Sequence, residues 1–321
     1  MDFNQNTYRI LLQALQAQGF SFITFEEYIK NRKDNVTETA SSSFVTIPDY
    51  LQHNTPNPEP ATRNPELGTR NAEHRTFTYQ NASEGRLNAE RLIILRHDVD
   101  LKPQNSLATA KLEHELGIRG SYYFRAVPQS WDEQIIKEIA SLGHEIGYHY
   151  ENLTTCNGNM EEAYTDFTVN LHRLRQLADV KTICMHGSPT SRYDSKDIWK
   201  HYAYRDLGII GEPYFDMDFD QFFYLTDTGR RWDGWRVSVR DRVPQQEQWI
   251  KKGLVFKTTS QIINAAHSGK LPPKIMITVH PQRWSSSAAP WVKELVLQNV
   301  KNLVKRIIIA KNLLVVGEQK Y

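Results

Sequence analysis

The sequence predicts an α/β protein built as a β/α barrel, and three observations predict it. From Arg91 onward short apolar runs alternate with helical patterns, several of these runs end in an aspartate or a histidine, and no glycine-rich phosphate loop follows any of them. Alternating strand and helix give a parallel sheet covered by helices, and functional side chains collected at strand C-termini are the habit of barrels. A doubly wound open sheet is the structural alternative. The lack of G-x-G-x-x-G and Walker sequences argues against dinucleotide and nucleoside triphosphate sites.

Taken in order, Tyr8, Leu11, Leu12 and Leu15 fall at helical spacing within residues 7–18, Gly19 closes that helix, and residues 20–25 read as a strand. Residues 1–32 therefore belong with the barrel. Residues 33–88 are rich in Thr, Ser, Asn, Pro and Glu and contain near-copies of one short unit, Asn57-Pro58-Glu59-Pro60 and Asn64-Pro65-Glu66-Leu67. Such a stretch buries too little apolar surface to offset its ordering entropy, so a mobile insertion is expected, with a short ordered piece at 44–51. The barrel proper spans 89–321. Its strands are expected at Leu92-Ile93-Ile94-Leu95, Ser121-Tyr122-Tyr123-Phe124, 145–149, 182–185 and 275–279, with helices over 106–116, 131–142, 160–177 and 291–309.

The 321 residues carry 39 Lys and Arg against 37 Asp and Glu, a net charge of +2. So even a balance offers no large field for gripping nucleic acid or an anionic membrane surface. No basic start leads into an apolar leader, and no run approaches the roughly 20 apolar residues that span a bilayer. A cytoplasmic protein without a membrane span is expected. Cys156 and Cys184 are too few for a disulfide framework, so reduced thiols without a function are expected.

The chemistry concentrates at the strand ends. Leu92 to Leu95 lead into Arg96-His97-Asp98-Val99-Asp100, and residues two apart on an extended chain point to one side, so Asp98 and Asp100 can converge. Carboxylates and imidazoles together suit a divalent metal, and neighbouring carboxylates push their pKa values apart, so that one ligates while the other acts as base. The bland reading is a helix cap and an ion pair. His149 ends the next strand but one, whereas His144 lies about 16 Å earlier along extended chain, at the opposite end, with a structural role. His186 and His280 are further strand-tip histidines. One such histidine alone reads more simply as a satisfied core residue, but three at equivalent positions favour a site.

Arg96-His97-Asp98-Val99-Asp100, Gly143-His144-Glu145-Ile146-Gly147-x-His149 and Ile277-Thr278-Val279-His280 together resemble the polysaccharide deacetylase family, also called the NodB-homology or carbohydrate esterase family four group, in a branch with an H-D-V-D first motif. The resemblance covers residues 91–316. It implies a distorted β/α barrel of seven or eight strands and a metal-dependent hydrolase that removes an N-acyl group, commonly acetyl, from a sugar of a surface polysaccharide or its precursor. It also implies Asp98 as base, Asp100 and His149 as ligands and His280 as acid. Zinc is the expected metal, with cobalt, nickel and manganese as alternatives. Metal would polarise the acyl carbonyl, Asp98 would take a proton from water, His280 would protonate the departing amine, and backbone N–H groups would hold the oxyanion.

The chain departs from the family pattern twice. Leu153 stands where the family has its second ligating His, leaving His186 or Glu151 to complete the sphere. The Arg of the third motif is missing after His186, and Arg96 is the nearby replacement. Further contacts to substrate are expected from Arg96 and Glu151, and from two aromatic, charged segments: Tyr214 and Asp216 in the first, Arg230, Arg231 and Trp232 in the second. Aromatic faces suit sugar rings and Arg pairs with anionic substituents, while a hairpin whose aromatics are core is the alternative. Two other functions stay open: hydrolysis of a small non-sugar amide, and a catalytically degenerate barrel that binds a glycan or a protein partner.

Overall fold

A computed structural model of the chain describes residues 2–32, 91–188, 191–236, 243–285 and 292. The expected insertion at 33–88, its ordered piece at 44–51 and nearly all of the closing helix at 291–309 lie outside these residues. Helix α1 (Gln5–Ala17) starts at Asn4, whose side chain accepts from the Thr7 amide, and buries Tyr8, Leu11, Leu12 and Leu15, the stripe expected from their spacing. Its apolar face packs on α5 (Thr259–His267), a helix with a Thr258–Gln261 capping box. Helices α2 (Pro103–Glu115), α3 (Glu133–Ser141) and α4 (Met160–Arg175) follow successive strands.

Among the described residues seven strands form one sheet: β1 (Ser21–Ile23), β2 (Leu92–Val99), β3 (Ser121–Phe124), β4 (Glu145–Tyr150), β5 (Ile183–Met185), β6 (Phe223–Thr226) and β7 (Lys274–Val279). Every pairing is parallel, and the order is β5-β4-β3-β2-β7-β6. β2 to β5 pair in sequence, and β7, the last strand among the described residues, returns beside β2. That is the circular order of a barrel, without the reversal of a doubly wound sheet. The curl is distorted at two places. β1 pairs only with Leu92 to Ile94, below the stretch of β2 that meets β3. Between β5 and β6 the sheet continues, among the described residues, only as a bridge from Thr182 to Gly211, with Ile183 N–H donating to Gly211 O and Ile210 N–H to Lys181 O.

β6 and the helices at Gln246–Lys251 and α5 were not expected from the sequence. β6 is four residues long and aromatic, and its run is too short for a periodicity to show. Parallel strands covered on both faces bury all their residues, as all eight of β2 do. Among the described residues no helix is long and apolar enough to cross a membrane.

Alternation along β2 divides its polar residues between two sides of the sheet. His97 faces the helices, where its Nε2 lies 2.7 Å from Glu113 Oε1 and its ring stacks on Tyr122 at 3.9 Å. Tyr8 OH and Tyr122 OH donate to the same carboxylate. His144 belongs to this helix-side layer, accepting from the Gly120 amide and facing Ala110 O, which is the structural hydrogen bonding expected of it. Arg96 and Asp98 face the barrel interior.

Candidate active site

Both carboxylates sit where β2 ends, and neither is a helix cap. The N-cap of α2 is Lys102, with a left-handed φ of 56° and Pro103 following, and no side chain caps it. Asp98 is forked by Arg96 instead: Nε donates to Oδ1 at 2.7 Å and Nη2 to Oδ2 at 2.6 Å, both groups buried. The period of two that aligns Asp98 with Asp100 also aligns Arg96 with Asp98. Burial alone would raise the Asp98 carboxyl, but Arg96 and then His149 outweigh it and hold it at about 2.

Asp100 lies at the centre of three imidazoles. Its Oδ1 is 3.6 Å from His149 Nε2 and 3.5 Å from His186 Nε2, and its Oδ2 is 4.0 Å from His280 Nε2. His149 stands at β4 residue five, His186 directly after β5 and His280 directly after β7, so three strand tips converge as the barrel curls. Gln282 Nε2 donates to Asp100 Oδ2 at 3.0 Å, while Oδ1 is buried with no hydrogen-bond partner among the described residues. Burial would raise this carboxyl too, yet the facing imidazoles hold it well below the usual carboxylate range.

Each histidine is fixed from behind through Nδ1. His149 Nδ1 lies 2.9 Å from the carbonyl of Cys184, which can only accept, so Nδ1 carries a proton and Nε2 is the ring nitrogen turned toward Asp100. His186 Nδ1 lies 2.8 Å from Glu151 Oε2, and Arg125 clamps the other oxygen of Glu151 with Nε at 2.8 Å and Nη2 at 2.5 Å, while its Nη1 reaches the Asp100 carbonyl. His280 Nδ1 lies 2.6 Å from Asp227 Oδ1. Asp227 is fully buried and also accepts from the His280 amide, Arg283 and Trp284 Nε1. Burial and Arg283 pull the His280 imidazole down, but Asp227 and Asp100 together leave it raised above its ordinary value.

These contacts test whether a metal fits. Three guanidiniums each serve one carboxylate, in the pairs Arg96–Asp98, Arg125–Glu151 and Arg283–Asp227. Asp100 is the carboxylate of the cluster whose side-chain oxygens meet no guanidinium among the described residues, and its unpartnered oxygen faces the Nε2 atoms of His149 and His186. One carboxylate oxygen and two imidazole nitrogens within 4.8 Å of one another, with ordered outer partners, are a donor set that suits zinc. Asp98, His149 and Cys184 also cluster, but Arg96 occupies both Asp98 oxygens and burial pushes the Cys184 thiol well up, away from the thiolate a metal needs.

Of the residues expected to meet substrate, Arg96 and Glu151 instead stand behind Asp98 and His186. Trp232 is core: it donates to Thr259 Oγ1 and packs on Phe3 and Trp284. Arg231 forks Asp233, Asp216 accepts from Tyr204, Arg205 and the Glu212 amide, Arg230 reaches the Arg283 carbonyl, and Tyr214 lies under Lys196. Arg230 thus touches the backbone of Arg283, whose side chain holds Asp227. Leu153 points into a separate apolar cluster with Ala163 and Ile198, which is why no ligand stands there. The sequence reading missed Asp227, Arg125, Gln282 and Arg283. Asp227 follows β6 directly, so the strand-tip rule would have found it once that strand was seen.

No protein-family model and no curated protein sequence matches the chain. Solved structures show loose overlaps. A family 4 carbohydrate esterase from Bacillus anthracis is 10% identical, with a TM-score of 0.35, covering 65% of this chain and 74% of that one. A CE4 family pseudoenzyme from the same organism is 10% identical at a TM-score of 0.36, and this chain spans only 61% of its length. The Xyl-CE4 domain of a multidomain xylanase from the hindgut metagenome of Trinervitermes trinervoides is 13% identical at 0.31, covering 69% and 83%. Overlap this loose assigns no function, and the strand order and the site geometry stand by themselves.

Proposed function

We propose that this chain is a metal-dependent hydrolase that removes an N-acyl group from an amino sugar of a polysaccharide or its precursor. The observation that carries the reading is the unpartnered Asp100 Oδ1 facing His149 and His186, flanked by an Arg-held carboxylate and an Asp-backed histidine. Asp100, His149 and His186 would hold zinc, which when bound polarises a carbonyl and acidifies water.

The chain's own groups divide the rest of the work. Asp98 stays ionised above about pH 2 and so is always in the proton-accepting form. Its guanidinium partner also lowers its basicity, so Asp98 contributes by aiming a water as much as by taking its proton. His280, its Nδ1 proton committed to Asp227, delivers a proton from Nε2 to the departing nitrogen. Cleavage of the amide thus adds water across the C–N bond, giving acetate and a free amine.

The test is incubation of zinc-loaded protein with N-acetylated amino-sugar oligomers, assayed for released acetate and new primary amine. Both products from wild type and neither from His280→Ala support the reading. Zinc-loaded wild type inert on sugar amides but active on small non-sugar amides would overturn the substrate class.

A further inference from the structure

Four carboxylate oxygens meet where β2 ends, and protein donors engage three of them. Arg96 takes both oxygens of Asp98, and Gln282 Nε2 takes Oδ2 of Asp100, leaving Asp100 Oδ1 alone. Gln282 is buried, in the turn Pro281–Arg283 that follows β7 directly, so its reach to Asp100 is set by the strand that presents His280. Its amide has only one workable orientation. Reversed, Oε1 would face a carboxylate oxygen and repel it. In the observed orientation Oε1 is itself buried without a partner, an unfavourable arrangement that a purely packing role would not require.

We propose that Gln282 is a positioning residue that keeps Asp100 a one-oxygen ligand, holding Oδ2 away so that only Oδ1 faces His149 and His186. The inference rests on the metal-hydrolase reading and deepens it. Arg96 and Gln282 together divide the labour of the two aspartates, one denying the metal Asp98 and the other limiting what Asp100 gives.

The test compares wild type, Gln282→Met and Gln5→Met. Methionine at 282 keeps length and apolar bulk but has no donor. Gln5 holds the neighbouring backbone through Trp284 O and also reaches Thr109, without touching Asp100, so its replacement loosens the same turn by another route. Zinc affinity is read by chelator competition, and the cobalt-substituted proteins are compared by visible absorption. Gln282→Met should weaken zinc by about 10- to 100-fold and change the cobalt spectrum, because a freed second oxygen alters the ligand set. Gln5→Met should leave both unchanged. Equal affinity and an unchanged spectrum in Gln282→Met overturn the proposal, as does an equal loss in Gln5→Met, which would place the effect in the turn. Wild type that takes up no zinc overturns the metal reading itself, and this inference with it.

Discussion

Asp98 and Asp100 are chemically alike and two positions apart, but their partners differ, so their substitutions should separate. Asp98→Asn should keep zinc and lose about 10²- to 10⁴-fold in rate, whereas Asp100→Ala should lose the metal. Zinc content measured beside acetate release checks both, and loss of zinc from Asp98→Asn would contradict the division. Glu151→Gln removes the carboxylate behind His186 and leaves Arg125 without its partner. Zinc affinity should fall about 10- to 100-fold, and an unchanged affinity would show that His186 is no ligand. At this scale the aspartates, His149, His186 and His280 were legible because strand tips and the period of two are visible in sequence. Arg125, Asp227 and Gln282 were not, since nothing local tells an outer partner from an ordinary polar residue.

At the scale of elements, Leu153 shows how a motif position is reassigned by the segment that carries it. It sits in the short helical turn Asn152–Thr155 with its side chain among Ala163 and Ile198. Leu153→Ala should therefore cost about 2–5 kcal/mol of stability without altering zinc content, as denaturant unfolding and metal analysis would show. Inside the barrel, Gly147 is held to glycine by packing: a Cβ there would meet the Tyr123 ring at 2.3 Å and Thr182 O at 3.1 Å. Gly147 was visible in the sequence as part of a motif, but its reason lies across the sheet. β6 was missed for the opposite cause, four residues, two of them aromatic, with no pattern of their own.

Near the other end of β4, Glu145 accepts from the Glu26 amide, Ser121 and Thr182. Burial nonetheless pushes it from 4.5 up to about 7. A carboxyl raised in the folded state stabilises the fold as the acid. That stabilisation is complete below the unfolded value of 4.5 and is lost as pH rises through about 7. The slope is at most about 1.4 kcal/mol per pH unit. Glu145→Gln can keep all three contacts if the Thr182 hydroxyl turns toward Tyr123, so the variant should melt with a flatter pH dependence between about pH 5 and 7, by up to about that slope. Identical pH profiles for variant and wild type would contradict the placement.

For the whole molecule, what the sequence made visible was the alternation of strand and helix, and what the structure adds is closure. β7 returning to β2 brings His280 to Asp100, a contact across 180 positions that no local pattern announces. The gap between β5 and β6, bridged only through Gly211, leaves the barrel distorted without disturbing the four strands that carry the site. The same curl brings the tips of β2, β4 and β5 together, where the proposed metal centre lies. That proposal is tested most directly by zinc analysis of dialysed wild type beside Asp100→Ala, His149→Ala and His186→Ala. Near-stoichiometric zinc in wild type, lost in all three variants while each stays folded by circular dichroism, is the expected result. Zinc retained in His186→Ala, or absent from wild type after loading, would contradict it.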